Sequence, residues 1–461
     1  MRKDRIIGKR ISVLGMASSG ISCAKLLKRI GAEVFVSDIK GKGLLFSEMN
    51  QLKELGIDFE TGSHTPKAIR DKDFIVISPG IPLDIPILSQ AEELGVPIFS
   101  EIEVAFWLTD AKIVGITGSN GKTTTVTLVG KILNEDQKEY QVGGNIGIPF
   151  SSIVEKISPD GILVLELSSF QLERIEEFRP YLSSVLNITP DHLDRHPDLK
   201  SYMEAKLRIL ENQTPEDFAV LNADDENSFK LASYGKCKKT FFSIRKELEQ
   251  GAFIRKGKLV SRWNSRETEM VETSRIGIKG PHNLSNACAA CAICGILGIK
   301  PESTRKTLIS FKGVEHRLEQ VATISGVGFV NDSKATNVES VWYALQSVTP
   351  PIILIAGGKD KGGDFSKLRE LVQKNVKALI LIGEAKEKLK DALGDLVLIF
   401  SSYSLEEAVG QAFKKASPQD VVLLSPGCAS FDMFKDYRHR GNVFKSSVRN
   451  LAQKHGGTIN L

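Results

Sequence analysis

No stretch of this 461-residue chain is long and apolar enough to cross a bilayer. The longest apolar runs, such as PPIILIAGG at 350–358, are strand-sized, against the ~18 residues a span requires. The basic start, MRKDRIIGKRISVLGM, is followed by no sustained apolar segment, so a secretory signal is not expected. Lysine runs interleaved with aromatics are missing too. With 61 basic and 56 acidic residues spread along the chain, the net charge is only +5, so nucleic acid is not an expected partner. A mild positive balance suits anionic small molecules. Cysteine is scarce, with six in all, and three of these fall in CAACAIC as Cys288, Cys291 and Cys294. An iron–sulfur run would need a further cysteine and a proline where Gly298 and Ile299 stand. The alanine-rich, helical surroundings read instead as a tightly packed core helix over Asn283 to Leu297. These absences point to a cytoplasmic protein without disulfides.

What remains is ordinary for a globular protein: 41% hydrophobic and 25% charged residues, in a length suited to about three domains. The first hundred residues alternate short β-branched runs (RISVLG, EVFVSD, DFIVISPG, VPIFSE) with amphipathic helices, as parallel sheets with crossover helices do. A second set starts at Lys112 and runs through GILVLELSSF and LSSVLNITPDH. It ends in an irregular segment, 239–263, whose turn residues suggest antiparallel strands. A third set carries VGFVNDS, PIILIAGG, ALILIGE and DVVLLSPG. The expectation is an α/β protein of three domains, 1–102, 103–313 and 314–461.

The segment KIVGITGSNGKTTTVTLVGKIL reads as strand, glycine-rich turn and helix. Gly118 and Gly121 let the backbone approach an anion, and helix amides point at it. Lys122 would neutralise the outer phosphates, and the Thr123 hydroxyl would hold Mg²⁺. The full Walker pattern asks for glycine where Ile116 stands, so TGSNGKTT is a variant loop. Ligands of open α/β sheets sit beyond the carboxyl ends of the strands. GILVLELSSF ends at Glu166, and SSVLNITPDH runs out before Asp191 and His192. If these strands flank the phosphate loop, Glu166 and His192 are candidate metal ligands beside a bound triphosphate. Each also has a plain reading, as a solvated strand end or a backbone-bonded loop histidine.

Near the N-terminus, VLGMASSGISCAKLLKRIGAEVFVSD departs from a dinucleotide fingerprint, because Met16, Ala17, Ser18 and Ser19 lie where glycines belong. Asp38 ends the second strand, where a ribose-binding acid is expected. A nucleotide or diphosphate pocket and an empty structural sheet both remain open. In the third set, NDSKATN, GGKDKGGDF and SPGCASFD follow strands and put Lys334, Lys361 and Ser430 at one kind of sheet edge. Two lysines there suit a dicarboxylate; singly, each is a common surface lysine.

GITGSNGKTTT, GGNIG, LELSSFQLE, NITPDHLDRH, YMEAKLRIL, GPHNLSNACAA, HRLE and NDSKATN, in that order, resemble the Mur ligases of peptidoglycan synthesis over essentially the whole chain. NDSKATN with SPGCASFDMFKDYRHRG is similar to the D-glutamate-adding (MurD) type, and the DNPR signature of the diaminopimelate- or lysine-adding ligases is absent. The resemblance implies Rossmann-like first and third domains around a P-loop ATPase-like central one. It also implies a cytoplasmic, monomeric enzyme using ATP and two Mg²⁺ ions to add D-glutamate to UDP-N-acetylmuramoyl-L-alanine, with no nucleic-acid or membrane partner.

Residue by residue, the resemblance implies that Gly118, Ser119, Asn120, Gly121, Lys122, Thr123 and Thr124 bind the phosphates. Asn283 and Asn286 fall on the adenine side, and Arg317 and Asp332 meet ATP from the third domain. Thr123, Glu166, His192 and Lys206, the last carbamylated, would hold the metals, with Asn145 near the reacting groups. Ser18, Ser19, Asp38, Ile39, Ser78 and Gly80 would take the uridine diphosphate. Lys334, Thr336, Lys361, Ser430, Phe431 and Tyr437 would take D-glutamate. The competing readings are a folylpolyglutamate synthetase-like ligase, a nucleotide-gated binding protein, and an NAD-dependent oxidoreductase, which the broken glycine pattern disfavours.

Overall fold

The computed structural model describes residues 2–145, 147–190, 195–360 and 362–459. His192 and Lys361 therefore lie outside the described residues. Among the described residues three sheets form, one for each set of strands expected from the sequence. The chain divides into two compact units: one contains the chain up to 190, 195–274 and 285–309, the other 275–284 and 310–459.

The first sheet has five parallel strands in the order Asp58–Thr61, Glu33–Asp38, Arg10–Leu14, Phe74–Ile77 and Ile98–Ser100. The order reverses beside Arg10–Leu14, so the turns after that strand and after Phe74–Ile77 come together. Ser78 N–H donates to Leu14 O (3.0 Å), and Ser78 Oγ to Gly15 O (3.4 Å). Ser18 and Ser19 open the helix Ser18–Ile30 instead of lying in the turn before it.

In the central nine-stranded sheet, the phosphate-loop strand Lys112–Thr117 lies between Ile162–Glu166 and Leu182–Val185, parallel to both. The expected adjacency is therefore real, and the pairing of Ile116 with Glu166 brings the carboxylate level with the loop. The irregular segment forms Lys238–Ser243, parallel to its neighbours, then the antiparallel strands Gly251–Arg255, Lys258–Trp263 and Arg266–Glu272. One apolar core runs from Ile6 to Cys237 and serves both this sheet and the first. The cysteine-bearing helix spans Pro281–Ile296. Cys288, Cys291 and Cys294 are all buried, and burial pushes their thiols up, Cys291 to about 12. They act as small core residues.

The third sheet has seven strands, in the order Leu398–Ser401, Val376–Ile382, Ile352–Gly357, Val421–Leu424, Val327–Asn331, Glu319–Ile324 and Gly457–Ile459. The last two are antiparallel additions to a parallel sheet. Its two apolar faces are each covered by helices.

Candidate active site

The strand Lys112–Thr117 hands the chain to the helix Lys122–Glu135 through Gly118–Gly121, and Gly121 takes a left-handed conformation (φ +85°). That conformation favours glycine, and a Cβ there would also meet Asn286 Oδ1. Asn286 thus sits against the phosphate loop. Its expected companion Asn283 belongs to the other unit, where its Nδ2 donates to Lys279 O (2.8 Å).

The loop is clamped by a residue that the sequence did not single out. Asn187 accepts from Asn120 N–H (2.8 Å) and donates back to Asn120 O (3.0 Å), and its own carbonyl accepts from Ser119 N–H (3.0 Å). The Ser119 hydroxyl bonds to both the carbonyl and the N–H of Thr189 (2.9 and 3.0 Å). Lys122 Nζ folds back onto Gly118 O (2.6 Å) and Ser119 O (2.8 Å), which places the ammonium at the loop's mouth.

Beside it, Thr123 Oγ1 donates to Glu166 Oε2 (2.8 Å), and Asn145 Nδ2 donates to Glu166 Oε1 (3.2 Å). Glu166 is 2% exposed. A buried hydroxyl and carboxylate in contact form the oxygen donor set that Mg²⁺ takes, so these residues fit the ion that the phosphates would bring. Among the described residues, no cluster of three or more His, Cys, Asp or Glu competes as a metal site. Lys206, which reads from sequence as a solvated helix lysine, is 1% exposed. Its Nζ lies 3.1 Å from Gly118 O, 3.4 Å from Thr117 Oγ1 and 4.4 Å above the Tyr202 ring. The fold therefore brings Lys122, Thr123, Asn145, Glu166 and Lys206 to one strand-end cluster.

In the first sheet, Asp38 accepts from Met16 N–H (2.7 Å) and Lys40 N–H (2.8 Å), shaping the turns at Met16 and Ile39, while Ser78 is tied to the backbone at Leu14 and Gly15. Ile39 is exposed beside it.

In the third sheet, the loop after Val327–Asn331 carries Asp332, Lys334 and Thr336, and the loop after Val421–Leu424 carries Ser430 and Phe431. Gly427 N–H donates to Ala335 O (2.9 Å), joining the two. Beneath them lies Arg440, fully buried and also unforeseen. It donates to Ser333 Oγ and O and to the carbonyls of Cys428 and Ala429, between 2.8 and 3.3 Å. Burial brings its guanidinium down to about 10, so it stays charged at neutral pH. Asp332 accepts from Leu318 N–H (3.2 Å) and Ser425 Oγ (2.9 Å), next to Arg317, and burial pushes its carboxyl up to about 7. Lys334 Nζ lies 5.6 Å over the ring of Tyr437, and Phe431 is exposed.

Three family models cover most of the chain: a MurD-like N-terminal domain over residues 9–100, a Mur ligase middle domain over 116–294, and a Mur ligase glutamate ligase domain over 316–428. The chain belongs to the Mur ligases. This Mur ligase is 45% identical to the UDP-N-acetylmuramoylalanine–D-glutamate ligase of Koribacter versatilis, over 97% of its own length and 98% of the relative's. It is 46% identical to the enzyme of that name from Geotalea uraniireducens, again over 97% and 98%. Among solved structures, the UDP-N-acetylmuramate–alanine ligase of Thermotoga maritima superposes with a TM-score of 0.62 at 20% identity, over 96% of this chain and all of that one, and so shares the fold.

Proposed function

We propose that this Mur ligase joins the amine of D-glutamate to the carboxylate of UDP-N-acetylmuramoyl-L-alanine, in an ATP-dependent step of peptidoglycan precursor synthesis. The observation that carries the reading is near-full-length identity of about 45% to ligases of that name, on a chain whose fold clusters Lys122, Thr123, Glu166 and Lys206 at one strand end.

A carboxylate is a poor acyl donor because oxide would have to leave. Its oxygen attacks the γ-phosphorus of ATP, ADP departs, and an acyl phosphate forms. The amine then attacks the acyl carbon, loses a proton, and phosphate leaves with the C–O bond electrons. The amides after Gly118 and the Lys122 ammonium offset charge on the transferred group, positioned before the reaction begins. Thr123, Glu166, His192 and a carbamylated Lys206 would hold Mg²⁺, which would supply charge neutralisation when bound. Asn145 orients Glu166.

The remaining assignments belong to the same reading. Ser18, Ser19, Asp38, Ile39, Ser78 and Gly80 take the uridine diphosphate. Asn283, Asn286, Arg317 and Asp332 serve the nucleotide. Lys334, Thr336, Lys361, Ser430, Phe431 and Tyr437 take D-glutamate. Domains at 1–102, 103–313 and 314–461, a cytoplasmic site of action and a monomeric state complete it.

The test is phosphate release with UDP-N-acetylmuramoyl-L-alanine, ATP and a panel of amino acids. D-glutamate alone is expected to support turnover. Turnover with L-alanine or diaminopimelate in its place overturns the specificity, and absence of any amide product overturns the ligase.

A further inference from the structure

The segment LELSSFQLE does more than end in a carboxylate. After Glu166 the chain enters a helical turn, Ser169–Leu172, closed by a capping box between Ser168 and Gln171. This turn projects Ser169, Phe170 and Glu173 into one cluster. Arg195 Nη2 donates to Glu173 Oε2 (3.2 Å), and its guanidinium lies 4.8 Å over the Phe170 ring. The same Nη2 donates to Ile81 O (2.9 Å), in the first-sheet turn that holds Ser78 and Gly80.

Behind Arg195, His196 is buried and stacks on Phe170 at 5.6 Å with 16° between planes. Its Nε2 pairs with Ser169 Oγ (2.9 Å), and its Nδ1 lies 3.8 Å from Glu173 Oε1. The His196 ring then meets Tyr202 at 5.2 Å, whose ring lies under Lys206 Nζ. A continuous run of packed side chains therefore leads from Ile81 in the first sheet to the lysine at the phosphate loop. Arg195 is its sole crossing point at Ile81 among these contacts.

Arg208 adds rigidity on the far side by donating to Glu173 O and, at 2.7 Å, to Ile175 O. Glu173 thus faces three guanidinium groups, Arg174, Arg195 and Arg208, yet burial still holds its carboxyl above the usual range. Such a carboxylate is fixed by its surroundings and in turn fixes Arg195.

We propose that Arg195, oriented by Glu173 and Phe170, is a positioning residue that registers the Ser78–Ile81 turn of the first sheet against the Lys206 end of the central sheet. Resting on the function proposed above, its role is to place the acyl end of a substrate whose nucleotide is held by the first domain. The consequence is selective. On that reading UDP meets only the first-domain side of the bridge, and ATP meets the phosphate loop and the nucleotide residues named above, not Ile81. The full substrate, UDP-N-acetylmuramoyl-L-alanine, would span it, and a misplacement of about 1 Å costs up to ~10²-fold in rate.

The experiment is calorimetric titration of UDP, of UDP-N-acetylmuramoyl-L-alanine and of ATP into wild type, R195M and E173Q, with steady-state kinetics on each. R195M keeps the stem over Phe170 and removes the donor. It is expected to weaken the full substrate and lower kcat by about tenfold or more, with UDP and ATP held within about twofold; E173Q shows the same pattern at smaller amplitude. Equal weakening of UDP and the full substrate makes Arg195 a local brace and overturns the proposal, as does no change in either. Should R195M fail to fold, E173Q decides by the same ratio. Wild-type protein that binds the full substrate but turns over no D-glutamate overturns the function instead, and the titrations still decide the bridge.

Discussion

The first and third sheets share a plan, parallel strands whose order reverses beneath a set of loops, but they brace those loops with opposite charge. In the first, the Asp38 carboxylate collects the N–H groups of Met16 and Lys40. In the third, the Arg440 guanidinium donates to the carbonyls of Ser333, Cys428 and Ala429. The sign follows from the turns. Those at 14–16 and 38–40 point amides inward, whereas those at 333 and 428–429 point carbonyls inward, and buried backbone groups must be paired. A buried charge is tolerable only when it is fully hydrogen-bonded, and both braces meet that condition.

The comparison can be broken first at Arg440. R440M leaves several buried carbonyls unpaired at once, and a loss of about 3–5 kcal/mol in folding stability is expected, measured by denaturant unfolding, with D-glutamate saturation abolished. The loss falls on the third-sheet unit, so UDP binding by the first sheet persists.

Next comes D38A, which strands the Met16 and Lys40 amides. It is expected to cost about 1–3 kcal/mol and to raise KM for the UDP substrate while leaving KM for D-glutamate unchanged.

A third prediction concerns pH. Asp332 takes up its proton near pH 7 when folded but only near the ordinary carboxylate value, about 4, when unfolded. Between those values the folded state binds more protons, so this group makes stability fall as pH rises from about 4 to about 7, and the full penalty applies above. In D332N, Tm measured across that range is expected to lose this component of the decline.

The smallest effect is expected for Y437L. Losing the ring beneath Lys334 removes about 0.5–1 kcal/mol of cation–π attraction, a few-fold rise in KM for D-glutamate.

The two braces also differ in how far they can be read from sequence. Asp38 ends its own strand, a few residues from the turn it pins, and so it was legible as a strand-end acid. Arg440 sits in the helix Tyr437–His455, over a hundred residues from Ser333. Nothing in its local pattern separates it from a surface arginine of that helix. Asn187 was missed for a related reason, since an asparagine at a strand end has many uses and only the neighbouring loop reveals which one applies.

What the sequence alone determined is the set of features whose cause is local. The strand–glycine–helix pattern made the phosphate loop, and alternation of short β-branched runs with amphipathic helices made three α/β sheets. Gly118 and Gly121 marked where the backbone could approach an anion. Only the tertiary structure decided the groups whose meaning depends on what lies across from them. Glu166 became a partner of Thr123 because its strand lies beside the loop strand. Lys206 became a buried amine at the phosphate loop although its helix reads as solvated, because packing, and not periodicity, settles which charged side chains leave water. Arg195 became a crossing point between two sheets for the same reason: hydrogen bonds to distant carbonyls are set by three-dimensional proximity, and sequence patterns encode only the short range.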